Sequence, residues 1–210
     1  MPTNLNPQPS AGSSELLRCV RPNALRLALV FAVLSLLLRF APLPENFATF
    51  GALSMFCGLC LQGANRWLVP LAVLFAADCI GHFLNIPGMG FYFMPAMIFN
   101  YIGFAAFSLT GAAVSHIWQR RSFSVRASLS TLPAGIVAGS ALFFAISNFG
   151  AWLDPQMQYA ATWDGLQQCY WMGLPFWRSS LASDVLFGMG FVGSAYAISV
   201  WVSNRVRLWA

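Results

Sequence analysis

Residues 18–40 read RCVRPNALRLALVFAVLSLLLRF, with Arg18, Arg21 and Arg26 leading into an apolar run that Arg39 closes. At about 1.5 Å per residue, a helix of this length nearly crosses a hydrocarbon core of about 30 Å. Five more apolar stretches follow, at roughly 47–62, 67–84, 91–118, 127–147 and 181–203. Arg66 sits between the second and third stretches, Arg120, Arg121 and Arg126 between the fourth and fifth, and Arg205 and Arg207 after the last. Only Arg39 and Arg178 fall on the alternate joints, and the chain has no lysine. Positive residues stay on the cytoplasmic side of a membrane. The expected fold is therefore an all-α integral membrane protein, a bundle of six transmembrane helices with both N- and C-termini cytoplasmic. Arginine without lysine points to a GC-rich bacterial genome, so the expected location is the bacterial cytoplasmic (inner) membrane.

Composition agrees: 58% of residues are hydrophobic and only 8% charged, against about a quarter charged in a soluble domain. A length of 210 residues suits a single membrane domain, expected over 22–207. The net charge of +5 is spread one to three arginines per joint, which marks topology beside anionic lipid rather than a nucleic-acid surface. Residues 1–21, polar and proline-bearing at their start, are expected to be a disordered cytoplasmic tail. The run Leu25–Leu38 is long for a signal-peptide core and lacks a following A-x-A site, so it reads as an uncleaved first helix.

The expected outward side carries the unusual residues. Two joints there are short and proline-bearing, through Pro42, Pro44 and Pro87, while the third, 148–180, is long and rich in aromatics. That aromatic loop reads either as a lid on the bundle mouth or as an interfacial helix with its tryptophans among the headgroups. Ionisable groups inside membrane helices cost roughly 2.5–3.5 kcal/mol and need partners or a purpose. Asp78 and His82 stand four residues apart on one helical face, Asn100 lies at comparable depth, and Arg178 and Asp184 flank the start of the last stretch. They either line an outward polar cavity or pair off as Asp78–His82, Arg178–Asp184 and Arg39–Glu45. No catalytic carboxylate pair, phosphate loop or zinc signature occurs, and no metal or cofactor is expected. Cys57 and Cys60 form a C-x-x-C within an apolar stretch, where buried thiols are inert packing groups. Small residues recur at four-residue spacing: Ala24, Ala28 and Ala32; Ala72 and Ala76; Gly135 and Gly139.

This layout resembles the substrate-binding S components of energy-coupling factor (ECF) vitamin transporters. Pro44-Glu45-Asn46-Phe47, Ser147-Asn148-Phe149-Gly150 with Trp152, and Pro175-Phe176-Trp177-Arg178 with Asp184 resemble a bacterial membrane family related to these S components. The resemblance implies a ligand site under the outward loops, surrounded by Asn46, Asp78, Asn148 and Arg178, with aromatic side chains supplying apolar walls. It also implies partners: two ATPases and a membrane coupling subunit docking on the stripe Ala24, Ala28 and Ala32. One branch takes up cobalamin through a cysteine, and Cys79 lies near that depth. The expected function is therefore non-enzymatic: capture of a small, vitamin-like organic nutrient from outside, followed by transport. The candidate ligand-binding residues are Asn46, Asp78, His82, Asn100, Asn148, Trp152, Arg178 and Asp184. Two other classes remain: a membrane thiol oxidoreductase using Cys57 and Cys60, and a non-catalytic membrane scaffold.

Overall fold

The computed structural model describes residues 14–86, 89–91 and 93–208. Its helices are α1 (Glu15–Val20), joined by the 3-10 turn Arg21–Asn23 to α2 (Ala24–Arg39), then α3 (Phe50–Cys60), α4 (Asn65–Phe83), α5 (Met94–Arg120), α6 (Val125–Trp152) and α7 (Trp163–Leu208). No strand occurs among the described residues. Five helical segments are long and apolar enough to cross a membrane: α1 with α2, α4, α5, α6 and α7. Their apolar residues face outward as well as inward. Leu29, Val30, Val33 and Leu37 of α2 are each more than half exposed, a face suited to lipid rather than water.

The second apolar stretch departs from the six-span expectation. Only Phe50–Cys60 is helical there, and 11 residues reach about 16 Å, half a hydrocarbon core. All of its residues are buried, as expected for a helix that is apolar all round. The chain reaches it through the irregular segment 41–49, where Pro42 and Pro44 prevent α2 from continuing. Non-helical backbone beside a bundle must find partners. Ser179 donates to the Glu45 carbonyl at 2.8 Å and Ser180 to the Asn46 carbonyl at 3.1 Å, pinning this segment to α7.

Glycine sets the approach of α3 to α5. Gly58 lies so near the Ser108 carbonyl that no Cβ fits between them, and a Cβ on Gly111 would come 2.6 Å from the Met55 carbonyl. Gly135 faces Val114 and the Met55 side chain, while Gly139 receives the Phe107 ring. The G-x-x-x-G of α6 is thus internal packing. So is the alanine stripe: Ala24, Ala28 and Ala32 are 2%, 0% and 5% exposed, within the core that includes Phe31, Phe56 and Phe191. The stripe implied as a docking surface by resemblance therefore faces the bundle interior, where its small side chains let α2 approach closely.

Two boundaries also move. Residues 1–13 of the expected tail lie outside the described residues, but Glu15–Val20 is helical, with Leu16, Leu17 and Val20 buried. The expected loop 148–180 shrinks to 153–162, because α6 continues to Trp152 and α7 begins at Trp163. Of the two readings of the aromatic segment, the helical one describes Trp163–Ser180. Pro175 lies inside α7, and the carbonyl four residues earlier, which it leaves unbonded, belongs to the exposed Trp171. Gly165 and Gly173 remain helical while the Ala160 carbonyl and the Asn148 side chain press against them.

Gly58→Ala should lower the stability of the detergent-purified protein by at least about 2 kcal/mol, since the added methyl meets rigid backbone. Gly190→Ala, in open space on α7, should leave the unfolding midpoint unchanged or raise it. Equal midpoints for the two variants would contradict the α3–α5 packing.

Candidate functional site

The N-terminus of α3 stands between two buried carboxylates. Phe50 turns toward α4 and α5, where it packs with Leu74 and Ala77, with Tyr101 and Phe104 alongside. On that side Asp78 is 7% exposed and accepts a 2.7 Å hydrogen bond from the Tyr101 hydroxyl. Arg39, at the end of α2, lies within electrostatic reach of the same carboxylate. The next residue of α3, Gly51, turns toward α7. There the Asp184 carboxylate occupies the space that a Cβ on Gly51 would need, with the Phe107 ring beside it.

Asp184 is 5% exposed and takes a side-chain hydrogen bond from Ser140 of α6. Ser140 in turn accepts from the Trp177 indole at 3.3 Å. The indole stacks on Phe144, with ring centres 5.2 Å apart. Both acids therefore flank a helix N-terminus, where peptide dipoles and first-turn N–H groups favour negative charge. Chemically, such a pair can hold a cationic or hydrogen-bonding group, or carry a proton.

Tyr101 joins this site to an apolar groove between α4 and α5. The groove holds about 390 Å³ and is lined by Phe75, Phe91, Met94, Met97, Ile98, Tyr101 and Ile102. A second groove of about 290 Å³ runs between the far ends of α6 and α7, walled by Phe144, Tyr170, Trp163 and Trp171.

The residues singled out in the sequence divide among these places. His82 lies on the stripe of Asp78, but it is exposed and its ring packs on Phe91 at 5.3 Å. Tyr101, not His82, is the hydrogen-bond partner of the acid. Asn100 is half-buried beside Tyr101 in α5. Arg178 is exposed while Asp184 faces the interior; six residues of helix leave the two side chains about 120° apart around the axis. Asn46 is exposed with φ 58°, and its carbonyl holds Ser180. Asn148 is half-buried: its side-chain amide donates to the Phe144 carbonyl at 2.9 Å, and its own carbonyl receives the Cys169 thiol at 3.4 Å.

Trp152 donates to the Ala160 carbonyl at 2.9 Å, closing the loop 153–162. In that loop, burial and then the neighbouring Cys169 push the Tyr159 phenol above its ordinary value. Asn46 and Asn148 thus meet α7 through Ser180 and Cys169, while Trp152 closes the loop before it. Sequence reading missed Tyr101 and Ser140 as site residues. Only the α4–α5 and α6–α7 pairings reveal them, since neither stands at helical spacing from its acid. Among the described residues, no cluster of three His, Cys, Asp or Glu could hold a metal ion.

The model of a family of unknown function (DUF6580) matches residues 20–205, and the chain belongs to that family. No curated protein and no solved structure matches it.

Gly51→Ala should destabilise the protein by about 1–3 kcal/mol by driving the Asp184 carboxylate off its seat. Asp184→Ala opens space at the same point, so the double variant should lose less than the sum of the two single losses. Additive losses in thermal unfolding would show that Gly51 and Asp184 do not touch.

Proposed function

We propose that this member of the family is a membrane transport protein of the substrate-binding type, capturing a small organic nutrient with an apolar body and a hydrogen-bonding head. The observation that carries the reading is the junction at Tyr101. Its ring walls the α4–α5 groove while its hydroxyl bonds the buried Asp78. An apolar cleft of several hundred Å³ with a few convergent polar groups is the usual form of a small-molecule site. An acid buried inside a membrane helix is a functional group by default. The groove, the Asp78–Tyr101 pair and Arg39 together would hold a vitamin-sized molecule.

In this reading the chain crosses the bacterial inner membrane six times in the manner of an S component, with both termini cytoplasmic. The second crossing combines the irregular segment 41–49 with the short α3. Contacts at the two ends support it. Arg21 bonds Gln119 and Ser115 at the arginine-bearing end, and Ser179 and Ser180 bond the segment at Glu45 and Asn46 at the other. The chain carries no ATP-binding motif, so a coupling membrane subunit with ATPases would supply the energy. They would dock elsewhere than on the buried alanine stripe. The thiol oxidoreductase reading loses support from the burial of Cys57 and Cys60 at the centre of the core, 0% and 2% exposed.

Mass spectrometry of small molecules released by denaturing the purified protein tests the proposal. One compound should be enriched at near-stoichiometric amount and fall at least about tenfold in Asp78→Asn and Tyr101→Phe, whose unfolding midpoints confirm that they are folded. A folded wild-type protein that carries no compound, and no uptake phenotype for either variant, would overturn it.

A further inference from the structure

The groove between α4 and α5 opens toward the faces of these helices that suit lipid. On α5 its residues Met94, Ile98 and Ile102 are about half exposed or more, and so is Leu109 further along the helix. Steps of four, four and seven residues keep all four on one face. On α4 the groove residue Phe75 and Leu68, seven residues before it, are likewise more than half exposed. Both helices are long and apolar enough to span a membrane. An exposed apolar face running along such a helix is a lipid-facing face, and the groove lies between two of them.

The end of the groove near the α4–α5 joint is covered. Residues 89–91 fold back over the last turns of α4. Met89 lies on Gly81, where a Cβ would come 2.6 Å from the Met89 Cβ. Gly90 has φ 96° and lies on the His82 backbone, where a Cβ would come within 2.8 Å. Only glycine takes that conformation at that approach without strain. The turn sets the Phe91 ring between two rings of α4, 6.0 Å from Phe75 and 5.3 Å from His82. Phe91 therefore stands between the polar end of α4 and the groove. On the inner side lie the buried Met97 and Tyr101, whose hydroxyl donates to Asp78 at 2.7 Å.

We propose that the ligand of this groove is a membrane-dissolved amphiphile, an apolar body with a hydroxyl or amino head, that enters sideways from the bilayer between α4 and α5. The proposal rests on the transport reading for treating the groove as a substrate site, and adds the phase from which the substrate comes. Asp78 accepts from Tyr101, so a head that joins this pair brings a hydrogen-bond donor. The apolar body lies along the side chains of the groove and meets acyl chains at its mouth, which costs it nothing. A water-soluble nutrient in the same place would have to pass Phe91 and would hold polar groups against hydrocarbon without partners.

Photolabelling of the full-length protein in phosphatidylcholine nanodiscs tests the route. The probe is a long-chain alkyl alcohol carrying a diazirine on its chain, and its methyl ether, which has no donor, is the comparison. Adducts mapped by peptide mass spectrometry should saturate with the alcohol on Phe75, Met94 and Ile98. The ether should need at least about tenfold more for the same labelling, the loss of one hydrogen bond to a charged group. Ile102→Trp, which fills the mouth, should abolish the saturable labelling, while Leu109→Trp on the same face outside the groove should not. Should Ile102→Trp fail to fold, the alcohol and ether on the wild-type protein decide the matter. Labelling that never saturates, or is equal for alcohol and ether, would overturn the proposal. A water-soluble compound released from the purified protein at undiminished amount in folded Ile102→Trp would overturn lateral entry and leave the transport reading standing. Saturable, donor-dependent labelling with unchanged uptake in that variant would support the lateral site and remove the transport reading instead.

Discussion

The close crossing of α3 and α5 is the contact on which the other helices depend. Gly58 rests on the Ser108 backbone and Gly111 on the backbone of Met55 and Leu59, so two main chains meet with no side chains between them. Nothing flexible lies at that contact, and small residues are what allow it. A helix of 11 residues, buried along its whole length, can then serve as a central post. The remaining helices pack around it, with Phe31 of α2 against Phe56 and Phe191, and Gly135 of α6 against Met55. Because the post is short, the chain on its N-terminal side cannot be helical throughout, and its carbonyls are taken up by Ser179 and Ser180.

That arrangement places the acids. A helix beginning inside the bundle presents its N-terminal dipole to whatever packs there, and Asp78 and Asp184 arrive from α4 and α7 on either side. Phe50 and Gly51 separate them: a ring fills one side, and the absence of a side chain admits a carboxylate on the other. Each acid is also tied to a hydroxyl, Tyr101 or Ser140. Without such bonds, burial of a carboxyl group would be costly. The length of α7 follows the same logic. Its 46 residues reach about 69 Å, so its first half stands alongside the end of α6 through Cys169, Tyr170 and Trp177. The aromatics there form a wall rather than a loop.

The charge distribution separates the molecule into two chemical ends. Arginines collect where Arg21 meets α5, near the α5–α6 turn and in the last turns of α7; carboxylates other than Glu15 collect around the α3 N-terminus and past it. Topology alone asks only that positive residues lie on one side. It does not ask that Arg21 and Arg66 turn inward with buried, unbonded Nε atoms while Arg120 and Arg121 point outward. Arg21 instead bonds Gln119 and Ser115 of α5, and Arg66 the Leu61 carbonyl, so these two also join neighbouring segments.

Much of the fold was legible in the sequence because apolar length and arginine placement are one-dimensional properties. Runs such as Leu27–Leu38 and Phe104–Val114 must be helical in a membrane whatever they touch, since no other local structure bonds their backbone. Asp78 stood out for the same reason, as an acid inside such a run. The second stretch, 47–62, was legible as apolar but not as a short helix: only Phe50–Cys60 is helical, and Gly58 meeting Ser108 shows what buries it. Ala24, Ala28 and Ala32 were legible as a stripe, but a stripe does not say which neighbour it faces. Tyr101 and Ser140 were illegible as partners of Asp78 and Asp184, because those contacts span 23 and 44 residues between different helices. The sequence by itself determined helices, their apolar character and which joints carry arginine, all set by local hydrogen bonding and transfer energy. Tertiary packing alone decided which polar groups meet, because that depends on how closely pairs of helices approach, and here glycine and alanine contacts between distant segments set that distance.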